Sequence, residues 1–153
     1  YRMHENQNHA KINESSSEII AQIPKWLVIL EDYYSKHDLF HSHSLHLALF
    51  MQHEPFGLRY LRMPLSSQHK SLLFKLIKQF VNKNLSRYLT RQHQDKLNPL
   101  FKRFLKSESY ESFDRYYLKY QQRNKLLKFL IKLIPLKNVR KRSRKYLADK
   151  EVL

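Results

Sequence analysis

Three groups of residues in this sequence carry side chains that could do chemistry. The first opens the chain, where YRMHENQNHA sets Arg2 and His4 two residues apart. A guanidinium and an imidazole there could bind a phosphate or a carboxylate. On physics alone the stretch reads as a polar loop or a frayed terminus. The second group is the histidines His37, His41, His43, His46 and His53. His37 and His41 are four apart, so one helix face could offer both to a metal ion. No cysteine or carboxylate completes a metal motif, and the reading taken is of solvated or hydrogen-bonded histidines with no metal. Their charge would respond to pH at about 6–7. The third group is the run Arg115 to Lys145, with twelve Lys or Arg residues and no Asp or Glu. So dense a cationic stretch points to an anionic partner: a membrane surface, a polyanionic polymer or nucleic acid.

The elements that must position these groups are read from spacing. Ser15 and Glu18 match a capping box. Ile19, Ile20, Ile23, Leu27, Leu30 and Tyr34 then recur at helical spacing to about residue 36. Pro24 falls within this run and is expected to kink or restart it. Trp26 lies on or beside the apolar stripe and is expected in the core. Asp38 is a candidate cap for a second helix over 39–53, with Leu39, Leu45 and Leu49, together with Phe40 and Ala48, on its buried side. Residues 53–64 hold two prolines and the lone glycine, Gly57, and read as a connection with Phe56 and Tyr60 buried. Ser66 is a candidate cap for a third helix over 67–91, on Leu73, Leu76, Ile77, Phe80, Leu85 and Tyr88. A fourth spans Asp95 to Lys106, with Pro99 in its first turn, where proline is tolerated. Ser109 or Ser112 starts a last helix carrying Phe113, Tyr116, Tyr117 and Tyr120.

On that last helix Lys125, Lys128 and Lys132 share a face with Gln121, at about 100° per residue. Leu126, Leu127, Leu130, Ile131, Leu133 and Ile134 cover the rest. Pro135 breaks the helix, because it lacks an N–H and its ring clashes with the preceding turn. Lys137, Arg140, Lys141, Arg142, Arg144 and Lys145 follow as a polybasic cluster. A broad apolar face beside lysines, then a polybasic segment, suits a helix lying on an anionic membrane surface. The plainer reading is the last helix of a bundle, with its lysines in water.

Composition bounds the rest. A chain of 153 residues can bury one modest core. One glycine and no cysteine argue against sheets with tight turns and exclude disulfides and thiolate metal sites. The net charge of +16 is uneven: residues 1–99 carry 13 bases and 8 acids, residues 100–153 carry 16 bases and 5 acids. No apolar run reaches the ~20 residues that span a bilayer. The expected fold is all-α, about five helices in an irregular bundle ending in a basic amphipathic helix.

A resemblance sharpens the function. Tyr1-Arg2-Met3-His4-Glu5-Asn6-Gln7 resembles the YRxHENQ segment near the end of the catalytic domain in bacterial family 2 glycosyltransferases. The chain departs from many members at His9, where they have Ser. The segment KLIPLKNVRKRSRK resembles the IPxKxxRKxxR ending of capsule, teichoic-acid and exopolysaccharide enzymes. The resemblance implies a GT-A catalytic domain, absent from this chain, that transfers a sugar from a nucleotide-sugar with a divalent metal, Mg or Mn. It implies that Tyr1, Arg2 and His4 lie near the donor diphosphate. It further implies that residues 1–14 end the catalytic domain, 15–110 form a helical accessory domain and 111–153 a basic helix and tail. The chain opens on Tyr1 and is expected to be a fragment. It lacks the family's catalytic base and acidic metal motif, so it is expected to be inactive alone and to need no cofactor. Its expected partners are the missing catalytic domain, an anionic membrane on its cytoplasmic face and, through the whole enzyme, a polysaccharide acceptor. The competing readings are a basic helical nucleic-acid module and a protein-interaction module. The nucleic-acid module is disfavoured because the cations sit beside a large apolar face rather than on a base-reading helix.

Overall fold

The computed structural model describes the backbone of residues 16–151 and the side chains of residues 18–146. Every regular element among the described residues is helical, so the fold is all-α. The helices are α1 (Ser16–Lys36), α2 (Leu39–Met51), α3 (Ser67–Asn84), α4 (Arg91–Lys96), α5 (Pro99–Lys106), α6 (Tyr110–Lys132) and α7 (Lys137–Glu151). A π-helical segment, Gln52–Tyr60, continues directly from α2. Two compact units divide the chain, residues 1–105 and 106–153.

In the first unit, α1, α2, α3 and the π-helical segment pack together. Ile20, Ile23 and Leu27 form the buried stripe of α1, as their spacing requires. Pro24 neither stops nor restarts this helix, which runs unbroken to Lys36. Ser15 of the expected capping box lies outside the described residues. Trp26 is half-buried and meets Phe50 edge-to-face at 5.7 Å. Asp38 does not cap α2: it sits at φ 51°, ψ 40°, and its side chain makes no cap hydrogen bond. The left-handed conformation, which aspartate tolerates, instead turns the chain out of α1.

The buried stripe of α2 is Phe40, Ser44, Leu47, Ala48 and Met51, rather than one centred on Leu39, Leu45 and Leu49, which are half-buried. Its sequence, LFHSHSLHLALFM, offers too little contrast between faces to reveal the register. His43 at φ −118°, ψ 15° also interrupts the helical turn. Ser44 donates to the Tyr88 carbonyl at 3.5 Å, tying α2 to the turn after α3. Ser66 caps α3 as expected, its hydroxyl accepting from the His69 N–H at 3.2 Å. That helix ends at Asn84, not residue 91, because the Leu85 and Ser86 amides both turn back to the Val81 carbonyl. The expected 95–106 helix is two helices broken at Leu97–Asn98. There Asn98 accepts the Leu100 amide at 2.8 Å and Pro99 opens α5.

Residues 53–64, expected as a connection, are largely the π-helical segment. Pro55 removes one amide donor, and the Leu61 N–H reaches back five residues to the Phe56 carbonyl at 3.0 Å. The wide turn brings the Gln52 carbonyl to 3.1 Å from where a Cβ on Gly57 would stand, so a larger residue there would be crowded by backbone. Phe56 and Tyr60 are buried, as expected. Phe56 lies 4.8 Å from Phe104 and 5.2 Å from Phe101, and Phe104 lies 4.8 Å from Phe74 and 5.0 Å from Tyr60, between ring centroids. This aromatic cluster is the centre of the first unit. Phe104→Ala should lower its stability by about 3–5 kcal/mol in chemical denaturation. A loss under about 1 kcal/mol would show that the cluster is peripheral.

Candidate functional site

The second unit carries the cationic run, and its site is built from α6 outward. Ser109 caps α6, its hydroxyl accepting from the Ser112 N–H at 3.3 Å. Ser112 is therefore inside the helix, and its hydroxyl donates to the Ser109 carbonyl at 2.9 Å. Glu111 stands in the first turn, at the positive end of the helix dipole. Its carboxyl is held below the usual carboxylate range, first by a hydrogen bond from the Ser109 side chain, then by its own backbone amide, with Tyr110 and Arg115 adding to this.

Along α6, Phe113, Asn124 and Ile131 are buried, with Tyr117, Tyr120 and Gln121 half-buried between them. These positions follow one line at helical spacing, so α6 has a covered seam. Phe113 and Tyr117 stack at 6.0 Å, and the Arg123 guanidinium lies 5.5 Å from the Tyr120 ring centre. The opposite face is also apolar, and it is open. Leu126, Phe129, Leu130 and Leu133 keep between 48% and 62% of their surface in water. At about 100° per residue they form one strip, with Lys125 and Lys132 between this strip and the covered seam and Lys128 on the seam's edge. A bundle helix buries its apolar face; this helix has a second one that nothing among the described residues covers.

The helix ends with the Leu133 and Ile134 amides reaching back three residues, to Leu130 and Ile131, just before Pro135. The polybasic segment then forms α7 rather than an extended tail. Its first hydrogen bond runs from the Arg140 N–H to the Leu136 carbonyl at 3.0 Å. Sequence signals for this helix are weak. Leu136 offers no capping side chain, and Lys137, Arg140 and Lys141 sit at the positive end of the dipole, where cations disfavour a helix. What spacing does show, once the segment is taken as a helix, is a narrow apolar line of Leu136, Val139 and Tyr146 through Ser143. Leu136, Val139 and Tyr146 are all exposed.

Of the cations named from sequence, Lys125, Lys128, Lys132, Lys137, Lys141, Arg142, Arg144 and Lys145 are exposed and Arg140 is half-buried. They lie on two helices that contact one another. Tyr1, Arg2 and His4 lie outside the described residues. The histidines do not converge: His37 packs on Tyr33 at 4.7 Å and His41 on Tyr88 at 5.9 Å, while His43 faces His46 at 6.0 Å. No group of three or more His, Cys, Asp or Glu able to hold a metal ion exists among the described residues. No described helix is long and apolar enough to cross a membrane. No family model, curated protein or solved structure matches this chain.

Because the Glu111 pKa is lowered on folding, its contribution is present above the ordinary value of 4.5 and is lost as pH falls through the lower native value. Glu111→Gln should therefore melt slightly below the wild type at about pH 7, and the difference should shrink as pH falls below the ordinary carboxylate range. A difference that does not change with pH would show that the carboxylate contributes nothing at the start of α6.

Proposed function

We propose that this chain is the C-terminal helical region of a family 2 glycosyltransferase acting at the cytoplasmic face of a bacterial membrane, with residues 106–153 as its surface anchor. In this reading the absent catalytic domain transfers a sugar from a nucleotide-sugar to a polysaccharide or teichoic-acid type acceptor, and Tyr1, Arg2 and His4 lie near the donor diphosphate. The glycosyltransferase assignment rests on the YRxHENQ and IPxKxxRKxxR resemblances. The anchor rests on the open apolar strip of α6 beside lysines, an arrangement that suits the boundary between acyl chains and headgroups.

The physics of such an anchor has two parts. Leu126, Phe129, Leu130 and Leu133 would leave water for the acyl boundary, at about 25 cal/mol per Å² removed. The flanking and following cations would meet anionic headgroups, each adding about 1 kcal/mol within a Debye length. Neither part suffices alone, since an apolar strip of this size is small and surface charge is screened by salt. The same two-part dependence separates lipid from nucleic acid, which would use the cations and ignore the strip.

Co-sedimentation with anionic and neutral liposomes tests the anchor. The wild type should bind anionic vesicles selectively. Arg140, Lys141, Arg142, Arg144 and Lys145 changed together to Gln should weaken binding by at least about a hundredfold. Phe129→Ser with Leu133→Ser should also weaken it, with every charge retained. Binding to neither vesicle would end the membrane reading. Loss in the Gln variant without loss in the Ser variant would point to a purely electrostatic polyanion site.

A further inference from the structure

The first unit has an open face of its own, on α1. Val28 and Ile29 are 57% and 67% exposed in the middle of that helix. One exposed aliphatic side chain is ordinary, but two adjacent ones flanked by a fixed charge pattern need an account. Lys25 and Asp32 lie seven residues apart, which places them on one line of the helix with Val28 and Ile29 to either side. Both are exposed. Neither makes an ion pair among the described residues, whereas the neighbouring Glu31 is engaged by Lys83 of α3.

This pattern is self-complementary in one arrangement only. A two-fold axis between Val28 and Ile29 makes a second α1 run antiparallel to the first. Lys25 of each copy then stands level with Asp32 of the other, and Val28 with Ile29. Two opposite-charge pairs bracket an aliphatic centre, about 10 Å apart along the helix at 1.5 Å per residue. A parallel pairing would set Lys25 against Lys25 and Asp32 against Asp32, which is repulsive. An isologous antiparallel contact is also the symmetry that most homodimers use.

We propose that α1 is the two-fold interface of a homodimer, with Val28 and Ile29 at its centre and reciprocal Lys25–Asp32 pairs at its edges. The occupant of this face is a second copy of the chain, because the face is complementary in charge to itself when run antiparallel. The contact is a single helix pair, so the association is weak, with a Kd of about 1–100 µM. It is independent of the membrane anchor and of the glycosyltransferase reading.

Sedimentation equilibrium of the full chain up to about 200 µM, at physiological salt, tests it. The wild type should show a monomer–dimer equilibrium with a Kd in the range given. Lys25→Asp, and separately Asp32→Lys, should each weaken association by at least about tenfold, since each sets like charges opposite one another. The double variant K25D/D32K restores opposite charges in the antiparallel register and should recover the wild-type Kd. Far-UV circular dichroism and melting should not change, because both side chains are exposed. A monomeric wild type at the highest concentration would overturn the proposal. Dimerisation of Lys25→Asp at wild-type strength would do so as well, and so would a double variant that stays monomeric.

Discussion

The contact between Phe56 and Phe104 constrains the first unit more than any other. Phe56 stands on the π-helical segment and Phe104 on α5, two elements that meet nowhere near each other in sequence. Around them Tyr60, Phe74 and Phe101 close an aromatic cluster whose nearest centroid spacings, 4.8–5.2 Å, are tilted and edge-to-face. The backbone accommodates this by widening the helix after Met51, through Pro55 and the close approach at Gly57. Polar chemistry reinforces it, for the Gln52 side chain accepts the Asn98 N–H at 2.7 Å where α4 gives way to α5. The break at Leu97–Asn98 and the wide turn at 52–60 are thus two sides of one junction.

The second unit is organised differently. Its longest helix has a covered seam and an open strip, so the strip contributes little to folding in water. Cations separate the two. In α7 charge outweighs apolar surface, and the cations at its start oppose the helix dipole. Neutralising them with anions would therefore favour both binding and helix. That coupling is the physical link between the anchor proposed for residues 106–153 and the segment that follows Pro135.

Much of the fold was legible because helical spacing is strong where apolar and polar residues contrast. The stripe of α1, the cap at Ser66 and the burial of Phe56 and Tyr60 follow from residue types alone. The failures share a cause. In α2 nearly every residue is apolar or histidine, so the sequence does not show which face is inside. Asp38 has the right chemistry for a cap, but its backbone is committed to ending α1. For α7 no cap or favourable charge announces a helix. The candidate surface was half legible: lysine spacing on α6 is read directly, whereas the openness of Leu126, Phe129, Leu130 and Leu133 depends on what fails to pack over them. The α1 face was legible only in part, because helical spacing leaves Val28 and Ile29 off the buried stripe but does not show whether another element covers them.

One feature of the first unit bears on how fast it forms. Several of its helices pack on their neighbours in the chain, α1 on α2, α2 on the π-helical segment and that segment on α3, while α1 also packs on α3. Contacts between chain neighbours close short loops, and loop closure is the entropic cost that slows folding. Local topologies of this kind fold in microseconds to milliseconds. The exceptions are the packing of α1 on α3 and the aromatic junction, where Phe56 must wait for Phe101 and Phe104, more than forty residues on. The chain-neighbour pairs are therefore expected to assemble first, with docking of α1 on α3 and closure of the junction by α5 as the slower steps.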